Sequence, residues 1–338
     1  MVEKKQSERY DEVSRKQEES IEMKTVEHIL KLQGPKAQGG KASPDAIGHV
    51  LSKLEPALRA TISMGFRYTS KIHGRPPGWL TRASDIRFVD ISSGPEDSTL
   101  LHFEAPRFGE AAEDVYRQHE LFSVYPKQTD TGFDLFGDVL DDIQKREVDS
   151  FRFDSPLLNK IKRSNHSAYG IDSITLSGDR ISTAAPPSWD ARIADIADEM
   201  RQDIPLSQRI RIAGKLDMIR SSDNCFELLL EDEIRVDGLL EGGDMGDFRS
   251  LFEQDVVAEG MGVFRVSGKL LRIEATALKP ATETDSFFRR LPTPSARGTR
   301  LSSFLQPQTA RTGVAAVYGK WPGDETEEEL LAALKELG

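Results

Sequence analysis

Apolar residues recur at helical spacing in the stretch after Ser43: Ile47, Val50, Leu51, Leu54, Leu58 and Ile62 share one face of a 3.6-residue repeat. Ser43, Pro44 and Asp45 open that repeat with a side-chain cap, a proline whose missing N–H is harmless in the first turn, and an acid at the positive end of the helix dipole. A helix is therefore predicted from Pro44, closed by "HGRPPGW". "DIRFVDISS" and "STLLHFEAP" are β-rich runs joined by "GPED", a hairpin pattern. "TGFDLFGDVLDDIQKRE" carries a stripe of Phe133, Phe136, Val139, Leu140 and Ile143, and Ser155 with Pro156 starts a further helix holding Leu157, Leu158 and Ile161. One more strand, "GIDSITLSG", and one more helix, "WDARIADIADEM", complete an α+β domain over residues 44–205.

From Arg209 the period shortens to two. "RIRIAGKLDMIRS" alternates Ile210, Ile212, Leu216 and Met218, with Gly214 where a strand coiled around a small barrel would bend. "CFELLLED", "EIRVDGLLEG", the short helix "DMGDFRSLF", "QDVVAEGMGVFRVSG" and "KLLRIEATALKP" follow. Three strands, a helix and two strands is the order of the OB-fold, so residues 206–280 are predicted to form an all-β, OB-like five-stranded barrel. A small open β-sandwich is the alternative, for which the helix has no evident place.

The flanks are less regular. Residues 8–32 alternate charges with a sparse apolar set (Val13, Ile21, Val26, Ile29, Leu30), which reads as a polar helix, and "GPKAQGGKAS" reads as a linker, giving a segment 1–43 outside the first domain. Residues 281–338 read as an arm and a terminal helix. Between 286 and 320 lie Arg289, Arg290, Arg297, Arg300, Arg311 and Lys320 with no acid, a local charge of +6, and three prolines. In "GKWPGDETEEELLAALKEL", Thr326 and Glu329 have capping-box spacing, Asp324 and Glu325 sit at the favourable end of the dipole, and Leu330, Leu331, Leu334 and Leu337 form one edge. A helix this short is marginal alone and needs a surface to pack on, either its own barrel or a partner's groove with Trp321 and the leucines as anchors.

Composition narrows the function classes. The chain has 338 residues, too many for one ordinary core, and a formal charge of −11, which disfavours nonspecific binding of duplex nucleic acid by the whole surface. No apolar run reaches the ~20 residues of a membrane span and the amino terminus has no apolar signal region, so a cytoplasmic protein is expected. The single cysteine, Cys225, is expected to be a small buried hydrophobe in a strand.

Candidate chemistry is sparse. Asp134, Asp138, Asp141 and Asp142 lie on one helix and could in principle hold a divalent cation, but the simpler reading is a solvated face. The histidines never fall at metal-ligand spacing, there is no phosphate loop, and no serine has a nucleophile-elbow context. No cofactor, metal or catalytic residue is assigned. In "GRPPGWL", Arg75 and Trp79 form a binding anchor if the ring is exposed, and a seal on the first helix if it is not. Nucleic-acid-binding OB-folds combine a basic groove with stacking aromatics. Residues 209–280 hold ten Lys and Arg against fourteen Asp and Glu, net −4, and only Phe226, Phe248, Phe252 and Phe264 as aromatics. A protein-binding barrel is thus favoured, with a nucleic-acid face of Arg211, Lys215, Arg220, Arg265, Lys269 and Arg272 as the alternative.

"PPGWL", "ASDIRFVDIS", "STLLHFEAPRFGEAA", "TGFDLFGDVLDDI", "FRVSGKLLRIEA" and "GKWPGDETEEEL" resemble an uncharacterised bacterial family of hypothetical proteins, over most of the chain from about residue 45. The resemblance carries no activity. The tail is similar to acidic segments of antitoxin-like proteins encoded beside PIN-domain ribonuclease toxins. That similarity implies a non-enzymatic protein whose partner is another protein, a PIN-type nuclease, contacted through Trp321, Asp324, Glu325, Leu330, Leu331 and Leu334. Such antitoxins set an arginine near the toxin's acidic metal site; the tail has none, and Arg311 and Lys320 are the nearest basic residues.

Overall fold

A computed structural model of the chain describes residues 24–72, 74–116, 126–164, 166–181, 185–221, 223–242 and 245–294. An α+β region is followed by a closed five-stranded barrel. Both belong to one compact unit.

The α+β region is built on an antiparallel sheet whose central strand, β1 (Thr25–Gln33), falls where the alternating charges predict a polar helix. Val26, His28, Leu30 and Leu32 point into the core while Glu27, Ile29, Lys31 and Gln33 point away, the two-residue period of a half-buried strand. Of the helix expected over 8–32, the part before Lys24 lies outside the described residues. The expected linker is also structured: β2 (Ala37–Gln38) and β3 (Lys41–Ala42) pair across a turn in which Gly39 and Gly40 have φ of 59° and 75°, and Ala37 is fully buried. The sheet therefore begins nineteen residues before the expected boundary at 44.

Helix α1 (Pro44–Arg67) starts where Ser43 Oγ accepts from Ala46 N and ends where Tyr68 turns left-handed at φ 55°. After it come the short α2 (Gly78–Ala83) and the predicted hairpin of β4 (Arg87–Ser93) and β5 (Thr99–Pro106), followed by two single-turn helices, Phe108–Ala111 and Glu113–Tyr116. Helix α3 (Gly132–Lys145) opens with a capping box between Thr131 and Asp134. Helix α4 (Ser155–Lys162) is capped by Asp154 rather than by Ser155, which lies inside the helix, because the carboxylate reaches Leu157 N at 3.2 Å. Strands β6 (Ser173–Gly178) and β7 (Ser188–Asp190) then complete the sheet in the order β4-β5-β1-β6-β7 before helix α5 (Ala191–Asp203).

Leu30, Leu32, Leu101, Phe103, Ile174, Leu176 and Trp189 from the sheet pack against Leu54, Leu58, Phe133, Phe136, Leu140, Leu157 and Ile193 from the helices. Each such side chain contributes about 1.5–3 kcal/mol by leaving water. Trp79 is buried in a neighbouring cluster with its ring 5.0 Å from that of Phe66, so it seals the end of α1 and is not an exposed anchor.

The barrel strands are β8 (Gln208–Arg220), β9 (Cys225–Leu229), β10 (Arg235–Leu240), β11 (Asp255–Phe264) and β12 (Leu270–Pro280), with a 3-10 segment, Met245–Leu251, before β11. They close in the order β10-β12-β11-β8-β9, antiparallel throughout except for the parallel pair β10 and β12. That is the OB-like arrangement expected. Strand β8 serves two neighbours: Lys215 pairs with Asp255 of β11 and with Leu229 of β9, and an irregularity at Leu216 to Met218 follows Gly214 closely. Ile212, Leu216, Phe226, Leu228, Val256 and Ile273 fill the interior. After β12 the chain makes a 3-10 turn, Glu283–Arg289, capped by Thr282 and packed on β8. The arm beyond Pro294 and the whole acidic tail, with Arg311, Lys320, Trp321, Asp324, Glu325, Leu330, Leu331 and Leu334, lie outside the described residues.

Candidate binding surfaces

The last carbonyls of a helix lack partners within the helix and carry the negative end of its dipole. At the end of α1 these needs are met by arginines from the barrel. Arg220 of β8 donates to Phe66 O and, through Nε, to Asp223 Oδ1 at 2.7 Å. Arg272 of β12 donates to Tyr68 O at 2.6 Å, grips Glu274 through Nη2 at 2.6 Å and faces Asp154 at 3.4 Å. Both guanidinium groups are buried. The turn between β11 and β12 docks on the loop after α3: Ser267 N donates to Val148 O, Arg265 Nη1 to Asp149 O at 2.8 Å, and Lys269 Nζ to Asp149 Oδ2 at 2.7 Å. Leu271 belongs to the α+β core, and Val263 and Val266 pack against it.

Four of the six basic residues considered for nucleic acid are thus committed to holding the barrel against its own chain. They do not gather on a solvent-facing patch. Arg211 is exposed, ion-paired to Glu259 at 3.3 Å and set over the Phe288 ring at 5.7 Å, and Lys215 is half-buried at the bend of β8. OB-folds receive oligonucleotides on the face of their second and third strands and on the loops that follow the first and fourth. Here those loops are the seam itself. On that face Asp237 and Glu227 stand directly opposite each other across β10 and β9. Burial, then the Glu227 charge, push the Asp237 carboxyl up to about 7. Burial and then Asp237 also push the Tyr68 hydroxyl up, so the end of α1 lies within electrostatic reach of this face. Arg235 beside them is already ion-paired with Glu227 and Asp217. The single cysteine, Cys225 at the start of β9, is buried as expected, and its thiol is pushed up by burial while feeling Arg220 and Arg67 of α1.

A different side of the barrel is open. Phe287 is 82% exposed, Leu206 68% and Leu291 41%. Gln208 Nε2 donates to Thr293 O, and Arg289 pairs with Asp255 at 2.9 Å, so the segment after β12 runs back along β8 with Phe287 and Leu291 exposed on it, while Leu206 is exposed just before β8. Exposed apolar strips of this kind mark interaction surfaces.

The aspartates of α3 do not form one solvated face. Asp134 and Asp142 are buried: Asp142 accepts from Ser150 Oγ at 2.6 Å and Arg152 Nη1 at 2.9 Å, whereas Asp138 pairs with Arg180 at 3.0 Å and Asp141 with Lys145 at 2.6 Å. Among the described residues no group of three or more His, Cys, Asp or Glu side chains could hold a metal ion.

At the N-terminus of α3 a cavity of about 220 Å³ is lined by Val26 and His28 of β1, Arg107, Thr129, Asp134, Asp179 and Arg180. His28, 1% exposed, stacks on Phe133 at 4.7 Å and meets Thr131 Oγ1 through Nε2 at 2.9 Å. Thr131 Oγ1 donates in turn to Asp134 Oδ2 at 2.9 Å, so the imidazole Nε2 is the donor to Thr131 and Nδ1 is an unprotonated acceptor. Burial holds the His28 pKa below its ordinary value, which keeps the ring neutral. Neither His28 Nδ1 nor Asp134 Oδ1 has a hydrogen-bond partner. Arg180 answers Asp138, Asp130 at 3.3 Å and, more distantly, Asp134 at 3.7 Å. The sequence gives no local sign of this cavity, because its walls come from four separated segments.

Among the described residues no helix is long and apolar enough to cross a membrane. No protein-family model matches the chain, and no curated protein and no solved structure matches it.

Proposed function

We propose that the chain is a non-enzymatic binding protein: its OB-like barrel is a mount, and it engages another protein through the open side of β8 and the segment that follows. The observation that carries this reading is the seam. The barrel's usual ligand loops and four of its basic residues are spent on the α+β region, while Phe287, Leu206 and Leu291 stay in water at the base of the arm. Leaving large apolar groups exposed on one strip has a cost that a partner's surface would offset. The tail's resemblance to antitoxin-like segments supports a PIN-type nuclease as that partner.

The test is co-expression with a PIN-type nuclease encoded beside the chain. The reading predicts a complex that is lost both on deleting residues 319–338 and in a Leu206→Ser, Phe287→Ser variant, with nuclease activity restored in each case. A complex of undiminished stability in both variants would reject it. A second reading, single-stranded nucleic-acid binding, rests on Arg211 lying over Phe288 beside the exposed Phe287, on the side where the basic arm begins. It predicts salt-dependent binding that disappears with Phe287→Ala.

A further inference from the structure

The cavity at the head of α3 has two poles. Arg107 forms one: among the described residues its side chain makes a single hydrogen bond, a long one of 3.5 Å to Thr129 O, and has no ion-pair partner. Asp179, also without a partner there, forms the other together with the buried Asp134. Arg180 contributes a positive charge that Asp138 and Asp130 answer closely and Asp134 answers at 3.7 Å. Two arginines and two aspartates around a neutral imidazole leave the lining with no net charge. An anion would satisfy Arg107 and leave Asp179 unmet; a cation would do the reverse. A small molecule carrying both charges meets each pole.

From this we infer that the cavity between β1, the end of β6 and the head of α3 binds a small zwitterion of the amino-acid class, its carboxylate on Arg107 and its ammonium toward Asp179 and Asp134. Three features favour a built site over an accidental gap. His28 and Asp134 are buried, line the space and each keep one polar atom without a partner. The capping box of α3 fixes Asp134 through Thr131, so the acidic pole is held before a ligand arrives. Gly178 stands beside His28, where a Cβ would overlap the imidazole at Nδ1, so any side chain there would displace the ring that floors the cavity. The inference does not depend on the protein-partner reading, since the cavity belongs to the sheet and not to the barrel.

The experiment is a titration of the full chain with the standard amino acids at millimolar concentration, read by calorimetry and by thermal shift, with acetate and methylamine as single-charge controls. The expected result is saturable binding of at least one amino acid, no comparable binding of either control, and a loss of about tenfold or more in affinity in both Arg107→Gln and Asp179→Asn, each of which removes one charge-assisted contact. Both residues are accessible and carry no part of the core, so these variants keep the fold, which circular dichroism verifies. Absence of binding by every amino acid would overturn the inference. So would equal binding of acetate, which would make this a plain anion site, or full affinity in either variant.

Discussion

Arg272 is the most consequential side chain of the seam. It is 1% exposed, donates to Tyr68 O at 2.6 Å, and holds Glu274 through Nε at 3.1 Å and Nη2 at 2.6 Å. Replacing it with Met keeps an apolar stem of similar length and removes every charged contact. Glu274 is then left enclosed without its cation and Tyr68 O without its donor. Asp154 suffers less, because it still accepts from Ser70 N at 3.1 Å and Leu157 N at 3.2 Å. Breaking a buried ion pair from one side costs about 3–5 kcal/mol, and the retained partners of Asp154 place the loss near the lower end, about 3 kcal/mol. This is a large fraction of the ~5–15 kcal/mol that holds a typical domain. Urea denaturation followed by tryptophan fluorescence measures it. Adding Glu274→Leu should recover part of the loss, because it removes the orphaned Glu274 carboxylate while Tyr68 O still lacks its donor. A single-variant loss below about 1 kcal/mol, or a double variant no better than the single, would refute the account of the seam.

His166 offers a pH test. It is buried against Trp189 at 4.4 Å and His49 at 5.2 Å, with neither ring nitrogen partnered, and burial, then the His49 and Lys53 charges, lower its pKa to about 3. The folded state thus refuses a proton that the unfolded chain accepts below about 6.5, so stability is kept above that pH and lost as pH falls toward 3; between pH 7 and 5 the loss is about 2 kcal/mol. His166→Phe should flatten the pH dependence by that amount in denaturation curves, and an unchanged slope would contradict the assignment. Gly238 of β10 has no room for a side chain, since a Cβ there would overlap the fully buried Phe226 ring; Gly238→Ala should lower stability by about 1–3 kcal/mol in thermal melts, and Phe226→Leu in the same chain should return part of it.

Much of the fold was legible wherever one segment carried its own signal. Ser43, Pro44 and Asp45 announced α1, the stripe from Phe133 to Ile143 announced α3, and the strand-helix-strand order gave the barrel. Strand β1 was hidden for two reasons. Ile29 places an apolar residue on its outer face, which blurs the alternation, and the residues that cover it come from β5 and β6, some 70 to 150 positions later. The seam was hidden because a barrel arginine looks the same in sequence whether it meets phosphate or a helix end. Arg272, between the buried Leu271 and Ile273, was the one such residue whose setting hinted at enclosure. The cavity needed β1, and so could not be assembled before that strand was placed.

The chain carries one cysteine, which makes its thiol an unambiguous reporter of the seam. Cys225 sits 3% exposed outside the barrel's interior cluster, within the electrostatic reach of Arg67 from α1 and Arg220 from β8. Its rate of modification by a thiol reagent under native conditions tests directly whether the barrel is closed onto the α+β region. The account predicts labelling many orders of magnitude slower than that of an unfolded control and faster in Arg272→Met, whereas labelling at the free-thiol rate in the folded wild-type chain would show the seam open and contradict the account.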